Sequence, residues 1–152
     1  MTTTPSLCIN ILSINVCGLK SKLLVKEFTD FFVNYDVLCM CETRCDDADT
    51  NNIKEIMTKH GFDIVYKNRS ALCRYKSGGL LIAVRNNLNI RWKEMKSDDE
   101  TLLSICVNGQ DVGLVNDLII TCIYIPPSHS RYGKREHFDE LDEFFLTMSV
   151  SK

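Results

Sequence analysis

A carboxylate stands at the end of an apolar run in the stretch DVLCMCETRC, residues 36–45. The residues from Val37 to Cys41 are all apolar or sulfur-containing, as in a strand buried on both faces, and Glu42 follows them directly. A charge taken out of water is costly unless it is paired or bound to a metal. A carboxylate can hold Mg²⁺, which prefers oxygen ligands, so Glu42 is a candidate metal ligand. The alternative is that Glu42 caps the following loop or pairs with Arg44.

A second polar residue, Asn15, lies near the end of an earlier strand-like run, residues 7–16. Between the two runs, residues 19–34 repeat leucine and phenylalanine at helical spacing. Strand, helix and strand with short connections predict a crossover with parallel strands, whose carboxyl ends lie side by side. Open α/β sheets bind ligands there, and an amide can orient a phosphate or support a metal ligand. The alternative is that Asn15 is a turn residue ahead of Gly18.

The rest of the chain is predicted to be mostly strands. Thr50 begins a short helix that stops at Gly61. Asn108-Gly109 is a hairpin signal, and Pro126-Pro127 ends the last strand. The predicted strands are residues 62–67, 80–85, 90–95, 102–107 and 118–125. We expect the strand at residues 118–125 to be buried on both faces. A final acidic helix carries Phe138, Leu141, Phe145 and Met148 on one stripe.

Composition predicts one globular domain inside the cell. Of the 152 residues, 45% are apolar and 25% are charged, which is typical of globular proteins. No signal peptide and no apolar run of the roughly 18–20 residues that span a membrane is visible, so we expect a nuclear or cytoplasmic protein that is not secreted and has no membrane partner. The eight cysteines include no CxxC motif. Those in strand-like runs are expected in the core, namely Cys8, Cys39, Cys41, Cys106 and Cys122.

Charge is unevenly distributed along the chain. Residues 67–96 contain eight lysines and arginines against one acidic residue, whereas the segments on both sides are acidic. Two basic loops, one leading into Gly78-Gly79 and one after Pro126-Pro127, are predicted to form a rim that binds nucleic acid as substrate. Arginine and lysine can bind phosphates there, and tyrosine can stack on a base. The alternative is that these loops are only solvated. The candidate substrate-binding residues are Arg74, Tyr75, Lys76 and Arg131.

Four motifs in order carry a family resemblance, namely Asn15 in SINVCGLKSKL, Glu42 in DVLCMCET, Gly78-Gly79 in SGGLLIAV and Tyr124 in ITCIYIPPS. Over nearly its whole length the chain resembles the N-terminal part of the endonuclease/exonuclease/phosphatase superfamily, in particular the apurinic-type endonuclease domain of non-LTR retrotransposons. The resemblance implies an α/β fold, the N-terminal part of a four-layer α-β-β-α sandwich of DNase I-like type. We expect this chain to provide mainly one mixed sheet and its outer helices.

The resemblance also implies a chemistry, which is Mg²⁺-dependent hydrolysis of a phosphodiester in DNA. Glu42 corresponds to the metal-binding glutamate, Asn15 to an asparagine lining the same site, and Tyr124 to a tyrosine whose hydroxyl contacts the scissile phosphate. The alternative for Tyr124 is an ordinary aromatic residue at a strand end. A parent protein could also contain a reverse transcriptase module.

Two motifs of the family are missing from residues 1–152. The sequence contains no Asp-His dipeptide, and its one Asp-x-Asn, Asp49-Thr50-Asn51, precedes a predicted helix and is expected to cap it. His60, His129 and His137 are expected on the surface. We therefore expect a single truncated domain that is inactive by itself. The alternatives are a catalytically dead remnant that acts as a binding module, or a phosphatase acting on a small phosphate ester.

Overall fold

A computed structural model describes residues 8–68, 78–96, 100–127 and 136–150. Its strands form two sheets, one of four strands and one of three, with helices between and after them in the chain. The α/β fold class predicted from the sequence is thereby confirmed. In the described ranges, no helix combines the length and the apolar character needed to cross a membrane.

The four-stranded sheet has the order β1-β2-β4-β3. Strands β1 and β2 are parallel, as the crossover pattern predicts, whereas β4 runs antiparallel to both of its neighbours. Strand β1 begins at Ile11, and just before it the Asn10 N–H donates to the Asp36 carboxylate (2.8 Å), while the Asn10 carbonyl accepts from the Val37 N–H (3.1 Å). The strands are β1 (Ile11–Asn15), β2 (Val37–Cys41), β3 (Phe62–Lys67) and β4 (Leu80–Arg85).

The crossover from β1 to β2 contains two short helices instead of the single helix predicted over residues 19–34. The break lies at Val25, whose backbone is extended (φ −97°, ψ 114°), and the preceding Leu24 is 81% exposed. Val25 is β-branched and loses rotamer freedom in a helix, which favours the interruption there. The helices are α1 (Leu19–Lys22), α2 (Lys26–Phe32), α3 (Thr50–Lys59) and α4 (Glu136–Val150).

The three-stranded sheet is antiparallel, with the order β5 (Trp92–Met95), β6 (Leu102–Val107) and β7 (Leu118–Ile123). The predicted hairpin between β6 and β7 forms, but Asn108-Gly109 is not its two-residue turn. Asn108 instead accepts a hydrogen bond from the Gln110 backbone (3.1 Å) and caps a 3₁₀ turn, so the connection spans residues 108–117. The predicted last strand is shorter than expected and ends at Ile123.

The two sheets pack face to face and share one apolar core. The four-stranded sheet (sheet one) contributes side chains from β2 and β4, and the three-stranded sheet (sheet two) contributes side chains from β6 and β7. The opposite face of sheet one is covered by α1, α2 and α3. The inter-sheet core contains Val37, Cys39, Leu80, Ile82 and Val84 from sheet one, with Leu103, Ile105, Val107, Ile120 and Cys122 from sheet two.

The expectation that this chain forms mainly one sheet is therefore wrong. Strands β5, β6 and β7 pair with one another, and their inward side chains bury the inner face of sheet one. Nor is β7 buried on both faces, since Ile119 is 40% and Ile123 is 36% exposed. Periodicity predicts that a residue run forms a strand, but it carries no information about which sheet the strand joins.

Two of the five cysteines predicted in the core are buried there, and Cys41 packs against it. Cys39 and Cys122 are buried, and Cys41 and Cys106 are half-buried. Cys8 is exposed, against the expectation, because it precedes the first paired residue of β1. Burial raises the pKa of the Cys41 thiol, which favours its neutral form.

Candidate active site at the carboxyl end of β2

The parallel pairing of β1 and β2 brings their carboxyl ends to one rim of the sheet. Asn15 at the end of β1 is the register partner of Cys41 at the end of β2. The next residue, Val16, continues the pairing through its N–H, which donates to the Cys41 carbonyl (3.0 Å). Glu42 is the first residue beyond this rim. The predicted placement of Asn15 and Glu42 on adjacent strand ends is thus observed.

The segment from Glu42 to Arg44 is held by backbone hydrogen bonds from two sides. On one side, the Gly18 N–H donates to the Glu42 carbonyl (2.8 Å). On the other side, the Arg44 N–H donates to the Gly78 carbonyl (2.9 Å). The Thr43 N–H also donates to the Gly79 carbonyl (3.2 Å). The rim residues are therefore fixed by backbone hydrogen bonds to two other segments of the chain.

The rim has an uncommon backbone conformation. Cys17, Glu42 and Arg44 all have positive φ, at 47°, 57° and 57°. Non-glycine residues rarely adopt this left-handed region, and it persists only where the surrounding structure holds it in place. Gly79 (φ +91°) contributes to that support, because a Cβ there would lie 2.3 Å from Thr43 Oγ1. The Gly78-Gly79 motif therefore allows the close approach that positions Glu42.

The Glu42 carboxylate is buried and both of its oxygens accept hydrogen bonds. The side chain is 9% exposed. Oε2 accepts from Arg44 Nε (3.0 Å), and Oε1 accepts from the Tyr124 hydroxyl. The ion pair with Arg44 is the alternative that the sequence left open, and in this structure it is what balances the buried charge.

Tyr124 reaches Glu42 from the second sheet. It follows β7, where its N–H donates to the Thr101 carbonyl (3.0 Å). Burial, followed by the hydrogen bond and the charge of Glu42, raises the pKa of Tyr124 to about 12 from its ordinary value of 10.0. The phenol therefore keeps its proton at neutral pH and acts as a hydrogen-bond donor. Glu42 likewise raises the pKa of the Arg44 guanidinium, which is charged in any case.

The Asn15 side chain forms a hydrogen bond to the nearby backbone. Its amide oxygen accepts a hydrogen bond from the Cys17 backbone N–H (3.0 Å), and the side chain is exposed. This is the turn role that the sequence left open as an alternative. Asn15 thus shapes the backbone that leads to Gly18, and its predicted role in lining the site stays a prediction.

Arg74, Tyr75, Lys76 and Arg131 lie outside the described residues, so their substrate-binding role stays a prediction. Asp49 directly precedes α3, as expected of the Asp-x-Asn segment, but the Asp49 side chain makes no cap hydrogen bond and pairs with Lys20 instead. The ring of His60 packs edge-on against Phe32 (5.6 Å between centroids), so this histidine contributes to packing.

Arg44 is the site residue whose importance the sequence understated. The sequence left the Glu42–Arg44 pair open as an alternative, but the left-handed backbone of both residues cannot be seen in sequence. Within the described ranges, no group of three or more His, Cys, Asp or Glu residues could hold a metal ion. Glu42 fits Mg²⁺ as a single carboxylate ligand, since Mg²⁺ commonly keeps several waters and binds one or two carboxylates together with substrate phosphates.

Solved structures with this fold were found by structural comparison. An AP endonuclease from Leishmania major, LMAP, matches with a TM-score of 0.59 and 21% identity over 84% of this chain. An AP endonuclease from Archaeoglobus fulgidus matches with a TM-score of 0.59 and 16% identity over 95%. The APE2 catalytic domain from Xenopus laevis matches with a TM-score of 0.52 and 12% identity over 91%.

The match covers 43% of the Leishmania chain and 52% of each of the other two, so this chain spans about half the length of these structures. No protein-family model and no curated protein matches the sequence. At these identities the likeness concerns the fold. The chain has the fold of these AP endonuclease structures over about half of their length.

Proposed function

We propose that residues 1–152 supply the metal- and phosphate-binding part of a Mg²⁺-dependent DNA phosphodiesterase of the non-LTR retrotransposon type. The observation that carries the proposal is the contact between the buried Glu42 carboxylate and the Tyr124 hydroxyl. It joins the two sheets at the rim where α/β folds bind ligands. The fold shared with AP endonucleases and the four ordered sequence motifs support the same assignment.

Each residue has a role in this proposal. Glu42 would hold Mg²⁺, which polarises the phosphoryl group and stabilises charge on its oxygens when bound. Tyr124 is protonated and has one proton to donate, so it would release Glu42 Oε1 and donate to a phosphate oxygen beside Glu42 instead. Asn15 keeps the turn that carries Gly18 against the Glu42 carbonyl. In this proposal Glu42 is occupied by the metal, Tyr124 keeps its proton and Asn15 is a neutral amide. We therefore assign the removal of a proton from water to a part of the site outside residues 1–152.

A second candidate function is a binding module that keeps the fold without catalysis. The observation that favours it is the Arg44 ion pair, which by itself supplies a counter-charge to Glu42. A remnant of this kind would need neither Mg²⁺ nor a water-activating group. Metal binding distinguishes the two candidates.

Residues 1–152 should bind Mg²⁺ weakly, with a dissociation constant on the order of millimolar, because one carboxylate is a minimal ligand set. Glu42→Gln should remove this binding, since it replaces the charged ligand by an amide of the same shape. Isothermal titration calorimetry with MgCl₂ measures both. Glu55→Gln is the matched control, because Glu55 is an exposed carboxylate on α3 that pairs with Lys59.

Tight Mg²⁺ binding that survives Glu42→Gln would place the metal elsewhere and contradict the proposed function. Absence of Mg²⁺ binding by the unsubstituted chain at tens of millimolar would favour the binding module. Circular dichroism of each variant confirms that it is folded before titration.

A further inference from the structure

Arg44 is the more exposed member of its ion pair with Glu42. Its Nε lies 3.0 Å from Glu42 Oε2, and the Arg44 side chain is 37% exposed whereas that of Glu42 is 9% exposed. The other carboxylate oxygen, Oε1, accepts from the Tyr124 hydroxyl. A cation that binds Glu42 Oε2 therefore has to take the place of the Arg44 Nε–H.

A guanidinium and a divalent cation compete for one carboxylate. Both are positive, and two such charges a few ångström apart repel each other strongly when partly shielded from water. The hydrogen bond from Arg44 Nε already occupies Glu42 Oε2, the oxygen for which a metal would compete. Metal binding at Glu42 therefore requires the guanidinium to move away, or it proceeds at reduced affinity.

The surroundings of Arg44 allow the side chain to leave while the backbone stays. The Arg44 N–H is fixed to the Gly78 carbonyl (2.9 Å). The stem passes over Gly18, where a Cβ would lie only 3.9 Å from Arg44 Cδ. Rotation about the side-chain bonds is enough to carry the guanidinium into solvent, and Glu42 keeps its place through Tyr124.

We propose that Arg44 is a built-in counter-cation that occupies Glu42 until a divalent cation displaces it. The ion pair keeps the buried carboxylate neutralised, and the protein folded at this rim, while no metal is bound. Its cost is a lower affinity for the metal. This inference rests on the proposed function, because it assumes that Glu42 is the metal ligand.

The test is Mn²⁺ binding to residues 1–152, followed by the electron paramagnetic resonance signal of free Mn²⁺ in MnCl₂ titrations. Arg44→Gln keeps a hydrogen-bond donor beside Glu42 and removes the charge, so it should bind Mn²⁺ about tenfold more tightly than the unsubstituted chain. Arg44→Lys keeps the charge and should stay within about twofold. Arg91→Gln is the control, because Arg91 pairs with Asp111 at a different place.

Unchanged or weaker Mn²⁺ binding by Arg44→Gln overturns the inference. If that variant is unfolded without metal, MnCl₂ must refold it, since the metal supplies the missing counter-charge. A variant that stays unfolded in saturating MnCl₂ also overturns the inference. The double variant Glu42→Gln/Arg44→Gln separates the two proposals. Binding that persists in it refutes the proposed function, whereas binding that needs Glu42 but ignores Arg44 refutes only this inference.

Discussion

Glu42→Ala should abolish plasmid nicking in a longer polypeptide that joins residues 1–152 to a segment carrying the Asp-x-Asn and Asp-His motifs. The expected loss is about 10³-fold or more, because the proposed metal contributes several kcal/mol of charge stabilisation and each 1.36 kcal/mol is roughly tenfold in rate. The measurement is conversion of supercoiled plasmid to open circle on an agarose gel with MgCl₂.

Two comparisons accompany that gel. Glu55→Ala, on the exposed side of α3, should nick at the unsubstituted rate. Residues 1–152 alone should not nick detectably, since loss of a general base typically costs about 10²–10⁴-fold. Cleavage by the short chain that persists after Glu42→Ala, with contaminating nuclease excluded, would contradict the assignment of catalysis to this site.

Tyr124→Phe should slow nicking by the same longer polypeptide by about 10²-fold, the usual cost of removing one donor aimed at transition-state charge. The raised pKa of Tyr124, about 12, sets the pH dependence. Because the neutral phenol is favoured, it keeps its proton from pH 7 to pH 9, and the ratio of the two rates should be the same at both. The measurement is the nicking rate of each protein at each pH.

Tyr66→Phe is the control for that substitution, because Tyr66 is an exposed tyrosine on β3. A ratio that collapses between pH 7 and pH 9 would mean that the hydroxyl ionises in this range. A Tyr124→Phe protein as active as the unsubstituted one would show that the hydroxyl only supports Glu42 in the metal-free state.

The sequence was most informative where apolar runs have clear ends. Strands β3, β4 and β6 have the predicted bounds, and each is followed directly by an asparagine that marks its end. The leucine and phenylalanine spacing continues across Val25, so the sequence predicts a single helix after Gly18. The structure has two helices there, because the Val25 backbone is extended. The second sheet could not be predicted, since strand patterning does not specify pairing between distant strands.

The sequence predicts which residues form the site, but it does not predict which of them contact one another. The sequence places Glu42 at the end of a buried strand, and the parallel crossover places Asn15 beside it. The contact with Tyr124 joins residues 82 positions apart and depends on packing between the two sheets. The left-handed conformations of Cys17 and Glu42 are also invisible in sequence, because neither is a glycine.

The location of the metal tests the central claim most directly. Mn²⁺ broadens the NMR signals of nearby nuclei, so substoichiometric MnCl₂ added to ¹⁵N-labelled residues 1–152 reveals where it binds. We expect the backbone amide signals of Gly18, Thr43 and Tyr124 to broaden first, because all three lie around Glu42. Broadening centred instead on the other acidic loops, around Asp47 or Asp111, with these three signals unchanged, would contradict a metal site at Glu42.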